Sequence, residues 1–348
     1  HLRTGATVAG LGWSMSTALL QPIGLTQSMV RIGPKWVGKG LARWLGDAAR
    51  MEGGVKWVQE KSEFMKGRAA TMNREINEIQ NRVRSESKTA EAVQISFFYL
   101  IQKFQMVADM PTWLGAYEKS MATGAHEETA IALADQAVID AQTGGQVKDL
   151  AAIQRGGPAL KLFTNFYSFF SATFNLMAEA TGRADKRSPL AIGRLAVDYL
   201  LLLVIPAILG DFMKAALTGE LWDEDGDELL ERAARANLGY ASGMMIGVRE
   251  MSSVIAGFNN YGGPAGARFF GELTKLLGQA QQGEVDAAAL KALNNTAGVL
   301  FHYPAGQVQR TVSGIEAMVS GDTANPMALM LGPPNDSLRM WAAPAFNL

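Results

Sequence analysis

Two apolar segments with almost no charge follow one another between Leu160 and Asp211, and they restrict this chain more than any other feature. The first, LKLFTNFYSFFSATFNLM, gathers Phe163, Phe166, Tyr167, Phe169, Phe170 and Phe174 without a charged residue between Lys161 and Glu179. Phe163, Phe166, Phe170, Phe174 and Met177 recur at helical spacing, with Leu162, Phe169 and Leu176 beside them. Most of the helix circumference is then apolar or small, which predicts burial on most sides. The second segment, YLLLLVIPAILG, centres on Leu202 and lies between Asp198 and Asp211. Its wholly apolar core falls short of the roughly 20 residues that cross a bilayer, and Pro206 is expected to kink it. It reads as a buried core helix or as a membrane-inserting segment that needs partners. Two such segments in succession must be enclosed by other helices or by lipid.

The rest of the chain repeats a helical period and shows no alternating, strand-like runs, so the fold is expected to be all-α. It is read as a compact or elongated multi-helix bundle with Gly/Pro-rich connections. Small residues in 1–30 would let helices approach closely, and Pro22 and Gly24 mark a break. From Pro34 to Arg50, Trp36, Val37, Leu41, Trp44, Leu45 and Ala48 share one helical face, and Lys35, Lys39, Arg43 and Arg50 another. Pro34 suits a first helical turn, where a missing N–H costs nothing. A Trp/Leu face opposite a basic one fits a helix lying in a membrane interface. The reading that stands ahead of it is an ordinary bundle helix whose outer face happens to be basic.

Met72, Ile76, Ile79 and Val83 step by 4, 3 and 4 along a predicted antiparallel bundle helix. Val93, Phe97, Leu100, Ile101 and Phe104 form the next stripe, which Pro111 is expected to end or kink. His126 to about Gln142 makes another helix, with Glu127 and Glu128 where the dipole favours anions. Gly144-Gly145 and Gly156-Gly157-Pro158 bracket the best boundary. The division is therefore an N-terminal helical region (1–145), a Gly-rich joint (146–158) and a C-terminal helical region (159–348). The last stretch, NPMALMLGPPNDSLRMWAAPAFNL (325–348), is proline-broken and expected to be extended.

Composition excludes several chemistries. With no cysteine, the chain has no disulfide, thiolate metal site or Cys nucleophile. His1, His126 and His302 are too scattered for a zinc site or a relay. Lys plus Arg (32) nearly cancels Asp plus Glu (33), so no overall field steers the chain onto nucleic acid. Direct DNA binding is a minor expectation, confined to 31–50. The acidic cluster Asp223, Glu224, Asp225, Asp227 and Glu228 fails the EF-hand pattern and reads as an acidic helix start. No Gly-rich stretch ends as a phosphate loop does. No catalytic, cofactor-binding or metal-binding residue is expected, and Glu179 reads as salt-bridged or capping. Beginning at His1 and lacking a signal-peptide pattern, the sequence is expected to be a fragment or processed product.

Several phrases together carry a resemblance. DMPTWLGAYEKSMATG, AIALADQAVIDAQTGG and KDLAAIQRGG within 109–157, then LFTNFYSFFSATFN (162–175), are similar to the C-terminal region of very large phage and prophage "large polyvalent" proteins. LLERAARANLGYASGMMIGVREMSSVIAGF (229–258), YPAGQVQRTVSGIEA (303–317) and NPMALMLGPP (325–334) extend the resemblance, and GATVAGLGWSMS matches more loosely. That group is thought to include internal virion proteins ejected with the genome. The resemblance implies a non-enzymatic segment that sits in the virion interior and reaches the host periplasm or inner membrane at infection. There it would assemble with itself or with sister ejection or portal proteins and help DNA cross the envelope. The alternative is a head-interior scaffold that binds virion proteins without touching lipid. On either reading the contact residues are expected among Trp36, Lys39, Leu41, Arg43, Trp44, Phe163, Phe166, Phe170, Phe174 and Leu202.

Overall fold

The computed structural model describes residues 2–49, 54–70, 96–143, 167–218 and 287–333, with a few single helical positions between 233 and 278. The described residues are 86% helical and contain no strand, so the fold is all-α. In chain order the helices are α1 (Leu2–Leu11), α2 (Met15–Leu20), a tight 3-10 turn (Gln21–Gly24), α3 (Leu25–Ile32) and α4 (Pro34–Ala49). Then come α5 (Gly54–Lys61), α6 (Glu63–Ala70), α7 (Tyr99–Ala122), α8 (Glu127–Gln142) and α9 (Tyr167–Arg183). The last are α10 (Pro189–Tyr199), α11 (Ile205–Thr218), α12 (Ala287–Phe301), α13 (Ala305–Ser320) and the single turn α14 (Ala328–Leu331).

Local chemistry explains where these helices start. The Ser14 hydroxyl accepts the Thr17 N–H at the head of α2, and Ser62 accepts the Met65 N–H at the head of α6. Ser188 does the same for Ala191 and is followed by Pro189 in the first turn of α10. Each pairing satisfies one of the amide groups that a helix start leaves open. Pro34 opens α4, and the Pro22 break becomes the 3-10 turn between α2 and α3. Glu127 and Glu128 occupy the first turn of α8, with His126 at its cap position.

Helix α7 is the axis of the described body. Trp113, Met110 and Leu114 are fully buried on it and meet Val37 of α4, Val58 of α5, Met65 of α6 and Ala134, Ala137 and Val138 of α8. An indole removes roughly 150–250 Å² from water, on the order of 4–6 kcal/mol at about 25 cal/mol per Å². Trp113 Nε1 keeps a partner by donating to Asp135 Oδ1 at 2.7 Å. Helices α4 and α7 touch backbone to backbone. A Cβ on Gly40 would lie 2.0 Å from the Pro111 carbonyl oxygen, and one on Gly115 would lie 2.2 Å from that of Trp36.

The N-terminal helices also carry the C-terminal ones. Val8, Leu11 and Ala18 pack with Phe97, Phe98 and Ile101 on one side, while Ala9 packs with Val299 and Ala305 on another. Val30 of α3 packs with Leu176 of α9 and with Leu201 and Leu202.

The structure differs from the sequence expectations at three points. Pro111 does not end its helix: α7 runs through it to Ala122, and Pro111 is buried against α4. Over its described side chains, 171–183, the aromatic helix α9 is not enclosed on most sides. It buries Ala172, Thr173, Leu176 and Ala180, while Phe174 is 63% exposed. The start of the last stretch, NPMALML, is not extended, because Asn325 accepts the Met327 N–H and starts the α14 turn, while 334–348 lie outside the described residues. The Gly-rich joint 146–158, the Met72–Val83 stripe and the acidic cluster 223–228 lie outside the described residues.

Candidate interaction surface

The expected contact residues do not form one surface. On α4, the side that docks on α7 is led by Val37 and Gly40, with Trp36 and Trp44 half-buried at its edges. Lys35 and Lys39 lie over the Trp36 ring at 5.3 and 4.8 Å. Arg43 lies 4.6 Å from the Trp57 ring and pairs with Glu118 at 3.4 Å. Leu41 is half-buried, and Leu45 is the exposed apolar residue of this helix. The Trp36, Val37 and Trp44 part of the face is thus used within the bundle, and the basic residues close over its rim. Phe163 and Phe166 lie outside the described residues, as does the side chain of Phe170. Leu202 is fully buried against α3.

The uncovered apolar surface is elsewhere. Helices α10 and α11 join through a wider turn, Leu200–Val204, in which Ile205 N–H donates to the Leu200 carbonyl five residues back. This π-type turn stands directly before Pro206, whose ring would otherwise press on the Leu202 carbonyl. The result is a continuous helix, Pro189–Leu217, of 29 residues rather than two broken pieces. Among the described residues it is the one helix long and apolar enough to cross a membrane, yet only 22% of its most apolar window is buried. Its inner face carries Ala191, Leu195, Tyr199 and Leu202. The outer face exposes Leu190, Val197 and Leu200, with Leu190 86% exposed. Arg183, Lys186, Arg187 and Arg194 are exposed around this end, together with Asp185.

A second uncovered row runs along α13. Val308, Val312, Ile315 and Val319 are exposed at spacings of 4, 3 and 4; Leu290, Leu293, Leu300 and Phe301 of α12 are exposed too, without that spacing. Sequence reasoning singled out neither row. It also took the α10–α11 run as Leu195–Met213, although the Ser188-Pro189 start and the LAIGRLAV stripe extend it backwards. Glu179 lies 3.4 Å from Arg183 and 4.0 Å from Arg31, the salt-bridged arrangement expected for it.

Two of the buried polar groups in the bundle join helices. Asp135 accepts Ser62 Oγ–H at 2.6 Å as well as the Trp113 indole, and burial raises its pKa against the pull of those two donors. Lys119 donates to the Ile32 carbonyl at the end of α3, and burial chiefly, with Arg31, Arg194 and Arg183 nearby, lowers its pKa. These arrangements fasten helices together. No protein-family model, curated protein or solved structure matches the chain. The fold and its surface define an all-α helical-bundle protein that leaves long aliphatic rows uncovered.

Proposed function

We propose that this chain is a non-enzymatic segment of a phage internal virion protein, ejected with the genome, that assembles with itself or sister proteins and helps delivery across the host envelope. Its phrase-level resemblance to large polyvalent proteins supplies the context. The single observation that carries the reading is the long Pro189–Leu217 helix, whose outer aliphatic face stays uncovered. Contiguous exposed apolar surface of this kind marks a membrane or partner contact. Quantitative mass spectrometry of purified particles, before and after triggered genome release, tests the reading. Peptides of this chain present in full particles and lost from emptied ones support it, and their absence from particles removes it.

The head-interior scaffold is favoured by one observation of its own. The Trp/Leu face of α4, which the sequence offers to a membrane interface, docks on α7. Peptides retained in emptied particles would select the scaffold.

A further inference from the structure

We propose that the Pro189–Leu217 helix meets an anionic lipid surface side-on, through the outer face of α10, and does not span the bilayer while this fold is intact. The inference rests on the membrane-contact part of the function proposed above and adds its topology.

The packing of the chain ends excludes a single crossing. Helix α1 precedes the apolar helix, whereas α12 and α13 follow it, yet the two sides are in direct contact. Gly5 sits so close to the Val299 backbone that a Cβ there would overlap its carbonyl group. A Cβ on Gly306 would lie 2.9 Å from the Ala9 carbonyl oxygen. Arg310 Nη1 reaches Ser14 Oγ at 3.4 Å. One passage between residues 189 and 217 would set these partners on opposite sides of roughly 30 Å of hydrocarbon. Meanwhile Leu202 on the inner face is held by Val30 and Leu176. The helix therefore presents one side outward and keeps the other on the body.

That outward side has the chemistry of an interfacial helix. Leu190, Gly193, Val197 and Leu200 lie on it at spacings of 3, 4 and 3, all exposed. Arg183, Lys186, Arg187 and Arg194 surround them, against the carboxylates of Asp185, Asp198 and Glu179, the last paired with Arg183 at 3.4 Å, which leaves Lys186, Arg187 and Arg194 to face a headgroup layer. Aliphatic side chains can enter the acyl boundary while the long cationic ones stay at headgroup level. Anionic headgroups complement this excess of cations. A second copy docking face to face would instead bring the same cations together, because a two-fold contact pairs a patch with itself.

The absence of cysteine gives the test a clean handle. The full chain carrying Ala184→Cys or Thr218→Cys is floated with vesicles of phosphatidylcholine alone or mixed with phosphatidylglycerol. A membrane-impermeant maleimide is then added, with and without detergent, and labelling is compared with the same variant free of vesicles. Binding at least tenfold stronger to anionic vesicles, with both positions labelled before detergent, is the expected result. Labelling of either position only after detergent means a spanning helix; it overturns the inference and leaves the membrane contact standing. Failure to float on either lipid, or self-association without flotation, overturns both. The variant Leu190→Ser/Val197→Ser/Leu200→Ser should keep its unfolding midpoint and lose flotation at least tenfold. Unchanged flotation would show that the contact lies elsewhere. None of these outcomes bears on whether the chain is ejected, which the particle inventory decides separately.

Discussion

Arg68 of α6 and Asp109 of α7 form a two-pronged ion pair sealed inside the bundle. Nε meets Oδ2 at 2.6 Å and Nη2 meets Oδ1 at 3.1 Å, with side chains only 4% and 3% exposed. Arg68 also donates to the Gln142 and Thr143 carbonyls at the end of α8. Gln105 donates to both Asp109 and Gln142, and Gln142 continues to Ser28 and the Gly24 carbonyl. One polar chain therefore ties α6, α7, α8 and α3 in a single register. A buried pair of this kind contributes little over an apolar pair, but removing one partner strands the other charge. Arg68→Met should cost about 3–5 kcal/mol, and adding Asp109→Leu should recover part of that loss. A double-mutant cycle by urea unfolding measures the coupling, and strictly additive losses would contradict it.

Gly38 and Gly40 are two residues apart on α4 and should respond oppositely to alanine. A Cβ on Gly38 meets nothing within 4 Å, whereas one on Gly40 would overlap the Pro111 carbonyl. Gly38→Ala should gain up to about 1 kcal/mol from helix propensity. Gly40→Ala should lose about 1–3 kcal/mol, because α4 must move off α7. Thermal unfolding of the two variants checks the signs, and equal shifts would mean that the helix crossing is looser than described.

The helical period made α4, α8 and the all-α class legible, because buried residues there recur every three or four positions and capping residues sit where helices begin. What stayed illegible depended on distant partners. Nothing local announces that Pro111 continues its helix or that Gly40 and Gly115 let two backbones meet. The aromatic count around Phe174 suggested burial. In the structure the small residues Ala172, Thr173 and Ala180, with Leu176, face the bundle, since α3 approaches closely enough for Gln27 Nε2 to reach Thr173 Oγ1 at 2.8 Å. The uncovered α13 row has the same period as a buried one, so periodicity alone could not say which rows find partners.

Asp135 makes stability depend on pH in a direction opposite to a salt-bridged carboxylate. Burial raises its folded pKa, so its contribution is fully present below the unfolded pKa and is lost as pH rises through the folded value. At neutral pH the half-buried carboxylate is held at a cost. Asp135→Asn keeps an oxygen that can accept from Ser62 and Trp113 while removing the charge. Its stability relative to the parent should therefore improve between pH 3 and pH 7. A difference that is flat or falls over that range would refute the assignment. Ser62→Ala removes both a donor to Asp135 and the cap of α6, and should cost about 0.5–2 kcal/mol while raising the Asp135 pKa further, as side-chain NMR titration would read.

The two helices that the sequence offers to a membrane can be separated by a single comparison. Trp44 is half-buried among bundle residues, whereas Leu45 beside it is 53% exposed. Trp44→Ser should lower the unfolding midpoint by several degrees, since about 1–2 kcal/mol of partial burial is lost. Leu45→Ser should leave that midpoint in place. Because the Trp face of α4 is occupied by the bundle, Leu45→Ser should also keep flotation on anionic vesicles within about twofold of the parent, a change of roughly 0.4 kcal/mol. The triple substitution on α10 should abolish it with equally little effect on folding. If Leu45→Ser alone removed flotation, the exposed Leu45 side of the docked α4 would carry the contact in place of α10.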